Sequence, residues 1–282
     1  MSLTIIACTS KDLTLRRSQS SKLAQDAGWS RMALEAGQFS LVAFIPPYMV
    51  QNNTLTIYIE GDGLAWIDAS TPSFDPTPTN PIALRLAMRD PNKAVAYLAR
   101  PCQYTHDSEQ RKCSTRYWTT HRFAPEVIAA TDFAVNQLKT RTGAQQIRMI
   151  GYSGGGAVAA LVAARRSDVV MLVTVAGNLD HLAWTKMHGI TPLSGSLNPA
   201  DVWQALQSMP QQHYVGGRDD NINASIARSY ASKFSSPAPS ITVIPNYTHL
   251  CCWEDSWPDL VNQNFGLNRI VKSLNNITSL QK

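Results

Sequence analysis

An apolar run, IRMIGY, meets a serine set among four glycines and continues as an alanine-rich run, AVAALVAARR, across residues 147–166. The first run predicts a strand and the second a helix. A chain that passes from strand to helix with only glycines and a serine between them must lay that helix close against the sheet holding the strand. The surrounding fold is thereby committed to layers of strands and helices.

Other segments agree. VVMLVTV (169–175) is continuously apolar rather than alternating, the pattern of a strand buried on both faces of a largely parallel sheet. Residues 30–47 predict two strands about a turn at Gly37, and TLTIYIEG (54–61) a third strand. AVAYLAR (94–100), QIRMIGY, VVMLVTVAG (169–177), QQHYVGG and SITVIPN follow, with helices between most of them. One helix is expected to start at Pro81 with Asn80 as its cap, one at Pro125 and stopping before Gly143, one after Pro199, one over ASIARSYASKF, and a last one from Pro258. Residues 178–197, around Trp184, read as a loop. The expected fold class is α/β, a mostly parallel doubly wound sheet with an N-terminal antiparallel hairpin and helices on both faces. It forms a single domain (29–282) preceded by an arm (1–28) with a short helix.

The 282 residues are 44% hydrophobic, enough for a full core. The net charge of +5 comes from scattered residues. Its densest clusters are the pairs Arg16–Arg17 and Arg165–Arg166, which is not the basic stripe that nucleic-acid binding requires. No apolar run reaches the roughly 18 residues of a membrane span. No CxxC or Cys/His set has zinc spacing, so neither a metal nor a cofactor is expected.

Three chemistries compete for GYSGGG. A phosphate cradle needs a Walker lysine or a Gly-x-Gly-x-x-Gly spacing, and neither is present. A glycine-rich turn with an incidental serine is the plain reading. The third is a nucleophile elbow: Gly151-Tyr152-Ser153-Gly154-Gly155 matches Gly-x-Ser-x-Gly at a strand-to-helix turn, where flanking side chains would clash. In that arrangement an acid and then a histidine follow the serine. Of His181, His188, His213 and His249, only His249 follows the final predicted strand. Asp219, in GGRDDN, leaves the strand before it; Asp220 and Asp180 are the alternatives.

With IEGDGLAW, RPCQY, GYSGGGAVAALVAARR, TVAGNLD and GGRDDN, the chain from about residue 38 onward resembles an α/β-hydrolase. It is similar to a group of bacterial members, many of them predicted lipoproteins. The resemblance implies a serine hydrolase of carboxylic esters acting through a Ser153–His249–Asp219 triad and a covalent acyl-enzyme on a small-molecule substrate. Backbone N–H groups of Gly154 and of Asp62 or Gly63 would hold the oxyanion. The usual His-Gly motif is replaced by EGDG (60–63), whose carboxylates are expected to point away from the oxyanion. Trp66, Tyr152, Trp184 and Trp253 would line an acyl pocket, and the loops 64–80, 101–122 and 178–197 are long enough to serve as lids. An acyltransferase or a peptidase could use the same triad, and a non-catalytic envelope binding protein could keep the same fold.

Two further expectations concern cysteine. Cys102 and Cys113 bracket a short polar loop that a disulfide would close, stabilising by roughly 3 kcal/mol in the chain-entropy model; buried reduced thiols are the alternative. Ile5-Ile6-Ala7-Cys8 fits the cleavage box of a bacterial lipoprotein, in which Cys8 carries the lipid. That implies a membrane-anchored protein facing the periplasm. If the box is accidental, the protein is cytoplasmic. The pairing of Cys251 and Cys252 and the oligomeric state stay open.

Overall fold

A computed structural model describes residues 16–48, 52–109 and 112–265. The lipoprotein box (5–8) with its Cys8 and the end of the last expected helix lie outside the described residues.

Among the described residues, eight strands form one sheet: β1 (Ser30–Ala36), β2 (Phe39–Ile45), β3 (Thr54–Ile59), β4 (Val95–Leu98), β5 (Gln146–Tyr152), β6 (Val169–Val175), β7 (Gln211–Gly216) and β8 (Ser240–Ile244). Their spatial order is β1-β2-β4-β3-β5-β6-β7-β8. The β1–β2 hairpin is antiparallel, β2 joins β4 antiparallel, and every later pairing is parallel. Helices are α1 (16–26), α2 (Ile82–Arg89), α3 (Pro125–Thr142), α4 (Gly154–Ala163), α5 (His181–His188), α6 (Trp203–Leu206), α7 (Ala224–Ala231) and α8 (Trp253–Phe265).

Side chains alternate across the sheet and feed two cores. Leu55, Ile57 and Ile59 of β3 pack with Val127, Val135 and Leu161 of α3 and α4. Tyr58 of the same strand packs on the opposite face with Leu84 of α2 and Trp257 of α8. The apolar runs are continuous because both faces are covered. The described part of the N-terminal arm is docked on this body: Ala24 is buried, Arg16 Nη1 donates to the Thr77 carbonyl at 2.8 Å, and Arg17 pairs with Asp75.

Three helix expectations need correction. The α2 helix begins at Ile82 with Pro81 flanking it, and Asn80 makes no cap; its Oδ1 accepts from Arg85 Nε at 3.0 Å. Glu60 supplies the missing acceptor, with Oε1 3.3 Å from the Ala83 N–H. Residues 178–197 contain a helix, α5. The Asp180 side chain caps it by accepting from Ala183 N, and Gly189 ends it at φ 62°. Its His, Trp and Thr residues are indifferent helix formers, so the cap pair was its main signal. The final helix starts at Trp253, with Pro258 inside it. Trp253 and Trp257, one turn apart and buried, anchor that first turn strongly enough to absorb the N–H that proline lacks.

Candidate active site

Ser153 stands between β5 and α4 at φ 52°, ψ −124°, a strained conformation for a residue with a Cβ. The backbone around it is fixed from three sides. Its N–H donates to the Val175 carbonyl at 3.0 Å, and its carbonyl accepts from Gly156 N at 2.9 Å and Asn178 N at 3.0 Å. The glycines answer to crowding. A Cβ at Gly151 would overlap the Gly155 carbonyl, and one at Gly155 would overlap the carbonyls of Ile59 and Glu60. At Gly154 it would overlap the Asp62 carboxylate, and at Gly156 it would lie 2.8 Å from Gly177 Cα. Each of the four glycines is therefore a place where α4 presses against the ends of β3, β5 or β6.

His249 lies on the loop after β8. Its Nε2 is 3.0 Å from Ser153 Oγ, and its Nδ1 is 2.9 Å from Asp219 Oδ2. The imidazole is held by its own backbone, whose carbonyl accepts from Tyr152 Oη at 3.1 Å and from Trp253 Nε1 at 3.1 Å. Asp219 leaves β7 fully buried. Its second oxygen accepts from the N–H groups of Asn221 at 3.0 Å and Ile222 at 2.8 Å, which fixes the carboxylate's plane. Acid and histidine loops are also locked together: Arg218 N donates to the Tyr247 carbonyl at 2.8 Å, and a Cβ at Gly216 would come within 2.5 Å of that same oxygen. The paired glycines of GGRDDN thus admit the histidine loop.

The alternatives are placed elsewhere. Asp220 is exposed, and Asp180 is engaged with Ala183 N, Asn198 and Ser229. His213 is buried beside Thr174, 2.9 Å away, and burial pushes it down to about 3. His188 Nε2 lies 2.8 Å from the Asn221 carbonyl.

Ser153 and His249 line a cavity of about 830 Å³ that also takes in Trp66, Tyr152, Trp184, Leu193, Ile222 and Leu250. Trp253 does not line it. It is buried behind His249, and its indole serves the carbonyls of Thr248 and His249. All three long loops reach the cavity, and two stretches of 101–122, residues 101–105 and 117–119, are packed inward as a support.

Both carboxylates of the EGDG turn are engaged by hydrogen bonds. Glu60 is buried, with Oε1 accepting from Gly61 N at 2.9 Å and Oε2 accepting from Tyr97 Oη at 3.1 Å. Burial raises its pKa to about 7, against the pull of these hydrogen bonds. Asp62 is met by Arg100 and Arg122. Burial pushes its carboxyl up, but the two guanidinium charges outweigh that and hold it below the ordinary value. Arg100, Gln103, Arg122 and Asn178 were not singled out from the sequence. Arg100 and Gln103 stand in RPCQY, where an arginine and a glutamine beside a buried turn are the available signal.

Glu60 sets a pH test. Its folded pKa of about 7 lies above the ordinary 4.5, so the stability held by the neutral form is complete below 4.5 and is lost as pH rises through 7. The loss is on the order of 3 kcal/mol at 1.36 kcal/mol per unit. Urea midpoints of the wild type should fall relative to Glu60→Gln between those limits. Parallel curves would show that folding leaves the Glu60 pKa unshifted. His213 works in the opposite sense, losing stability as pH falls from 6.5 toward 3, and it is common to both proteins.

Comparison with solved structures gives the fold its class. An α/β serine hydrolase from Xanthomonas campestris, described as lacking a lid, is 11% identical over 86% of this chain and 94% of its own, with a TM-score of 0.53. Est1E from Butyrivibrio proteoclasticus is 15% identical over 86% of this chain and 99% of its own, with a TM-score of 0.57. The Pyrococcus furiosus esterase Pf2001 is 14% identical over 87% and 94%, with a TM-score of 0.58. The chain has the α/β-hydrolase fold. No protein-family model matches the sequence, and no curated protein matches it.

Proposed function

We propose that this protein is a serine hydrolase of carboxylic esters. The observation that carries the reading is the unbroken chain from Ser153 Oγ through His249 to Asp219, opening onto the cavity at 3.0 and 2.9 Å. Esterase and serine-hydrolase names among the structural neighbours support it.

On this reading Ser153 Oγ attacks the ester carbonyl while its proton passes to His249 Nε2. Asp219 holds the Nδ1 proton and stabilises the imidazolium. The tetrahedral oxyanion is met by the N–H of Gly154, the first residue of α4, which has no acceptor within its own helix. The second donor comes from the EGDG turn. There the Gly61 N–H is already spent on Glu60, leaving Asp62 or Gly63. The imidazolium returns its proton to the departing alkoxide. Water then gives a proton to His249 as it attacks the acyl carbon, and the imidazolium passes that proton to Ser153 Oγ as the carboxylic acid leaves.

A fluorophosphonate should add covalently to Ser153, located by mass spectrometry of the 147–165 region, and should leave Ser153→Ala unlabelled. Folded wild-type protein that takes up no probe would overturn the reading. An ester panel of graded chain length then defines the acyl group.

We also place the protein in an oxidising compartment of the cell envelope, with Cys8 as its lipid attachment point. The Cys102–Cys113 disulfide, with Cα atoms 5.6 Å apart, supports that placement. Thiol titration of unfolded protein purified from the periplasm should find neither cysteine reactive before reduction. Two free thiols there would count against the bridge and the compartment together.

A further inference from the structure

We infer that the Asp62 carboxylate, clamped between Arg100 and Arg122, is a positioning group that holds the oxyanion turn against Ser153. The inference rests on the serine-hydrolase reading and adds to it a residue whose side chain acts without touching substrate.

A carboxylate next to a forming oxyanion is an electrostatic liability unless its charge is cancelled. Here Asp62 Oδ1 lies 3.0 Å from Arg100 Nη1, and Oδ2 lies 2.6 Å from Arg122 Nη1. Two cations thus face one anion, and all three side chains are largely buried. The arginines are themselves fixed. Arg122 Nε donates to the Thr119 carbonyl at 2.8 Å, and its guanidinium stacks 5.7 Å from the Trp184 ring. Arg100 lies 5.3 Å over Phe123 and donates to the Arg122 carbonyl. The Trp184 indole in turn donates to the Asn221 carbonyl at 3.1 Å, beside the acid loop. The clamp is braced on both sides of the site.

The backbone of the same turn is held independently. Gly61 donates its N–H to Glu60 and accepts at its carbonyl from Gln103 Nε2 at 2.9 Å, and Gln103 Oε1 accepts from Arg100 N at 3.1 Å. With both Gly61 groups turned inward, the amides of the turn left to face the nucleophile are those of Asp62 and Gly63. The carboxylate lies against Gly154 Cα so closely that no side chain fits there. Asp62, one of the two candidate donors of the turn, and Gly154, the donor from α4, are therefore in contact through the clamped side chain. A carboxylate that slipped from the arginines would both tilt its own amide and present uncancelled charge to the oxyanion.

Asp62→Asn keeps the shape and the amide but loses the charge that holds both forks. Its kcat should fall roughly 100-fold, as when one oxyanion donor is lost, with KM within about threefold. The Ki of phenylboronate, which forms a tetrahedral anion on the serine, should rise by the same factor as kcat/KM falls. A purely structural role would lower the melting temperature without moving boronate affinity in step. Should Asp62→Asn fail to fold, Arg122→Lys decides, since it keeps the charge and breaks the fork; a kcat about 10-fold lower is expected. A variant that folds, with kcat within threefold of wild type, or whose whole loss lies in KM, overturns the inference alone. Wild-type protein that neither hydrolyses esters nor takes up a fluorophosphonate overturns the hydrolase reading and the inference with it.

Discussion

Ser153→Ala and His249→Ala should each lower kcat on a p-nitrophenyl ester by about 10⁶-fold, and the double variant should lose no more than either single one. The reason is that the hydroxyl and the imidazole form one device. At 3.0 Å, Oγ has its proton acceptor in place, and without that acceptor the hydroxyl is a poor nucleophile. Without the hydroxyl the imidazole has nothing to activate. What remains in every variant is the cavity and the backbone donors, and their residual rate should be the same in all three. Neither change should unfold the protein. Ser153 contributes its backbone bonds to the turn, and alanine keeps those. The His249 backbone carbonyl, which Tyr152 and Trp253 hold, is likewise unaffected by loss of the ring. Multiplying losses, or a His249→Ala enzyme retaining a few per cent of wild-type turnover, would mean that the two residues do not act together.

How far the sequence anticipates this site depends on whether a residue's role is local. Ser153 and its glycines are legible because the strand-to-helix turn imposes its own sterics within five residues. The strands are legible because burial on both faces writes an apolar run. Helix α5 is not, because its existence rests on the Asp180 cap and on docking, and its interior residues carry little propensity. Pro258 misleads because a proline is welcome at a helix start, yet here two buried tryptophans set the start five residues earlier. Trp253 looks like a pocket residue by its distance from His249 along the chain, but its indole is drawn inward by two carbonyls. Arg100 and Arg122 are invisible as a pair. They are 22 residues apart, and only the folded 101–122 segment brings both to Asp62. Long-range electrostatic partners of this kind leave no periodicity to read.

Between the two adjacent acids, the geometry predicts a large asymmetry. Asp219→Asn should lower kcat roughly 10⁴-fold, whereas Asp220→Asn should change it less than about threefold. Asn at 219 can still accept from the Asn221 and Ile222 N–H groups through its carbonyl oxygen, so the loop keeps its shape. Its amide nitrogen then occupies the place of Oδ2, 2.9 Å from His249 Nδ1. An NH₂ group there donates, which makes Nδ1 the acceptor and drives the ring proton onto Nε2. Nε2 then cannot accept from Ser153, and the base is blocked by the wrong tautomer rather than by displacement. The same variant should therefore keep wild-type stability and a KM close to wild type while losing turnover. Asp220 is exposed, so its charge is screened by solvent and its removal leaves the imidazole untouched. Equal losses at the two positions, or a larger loss at Asp220, would transfer the orienting role to a carboxylate that this structure keeps away from the histidine.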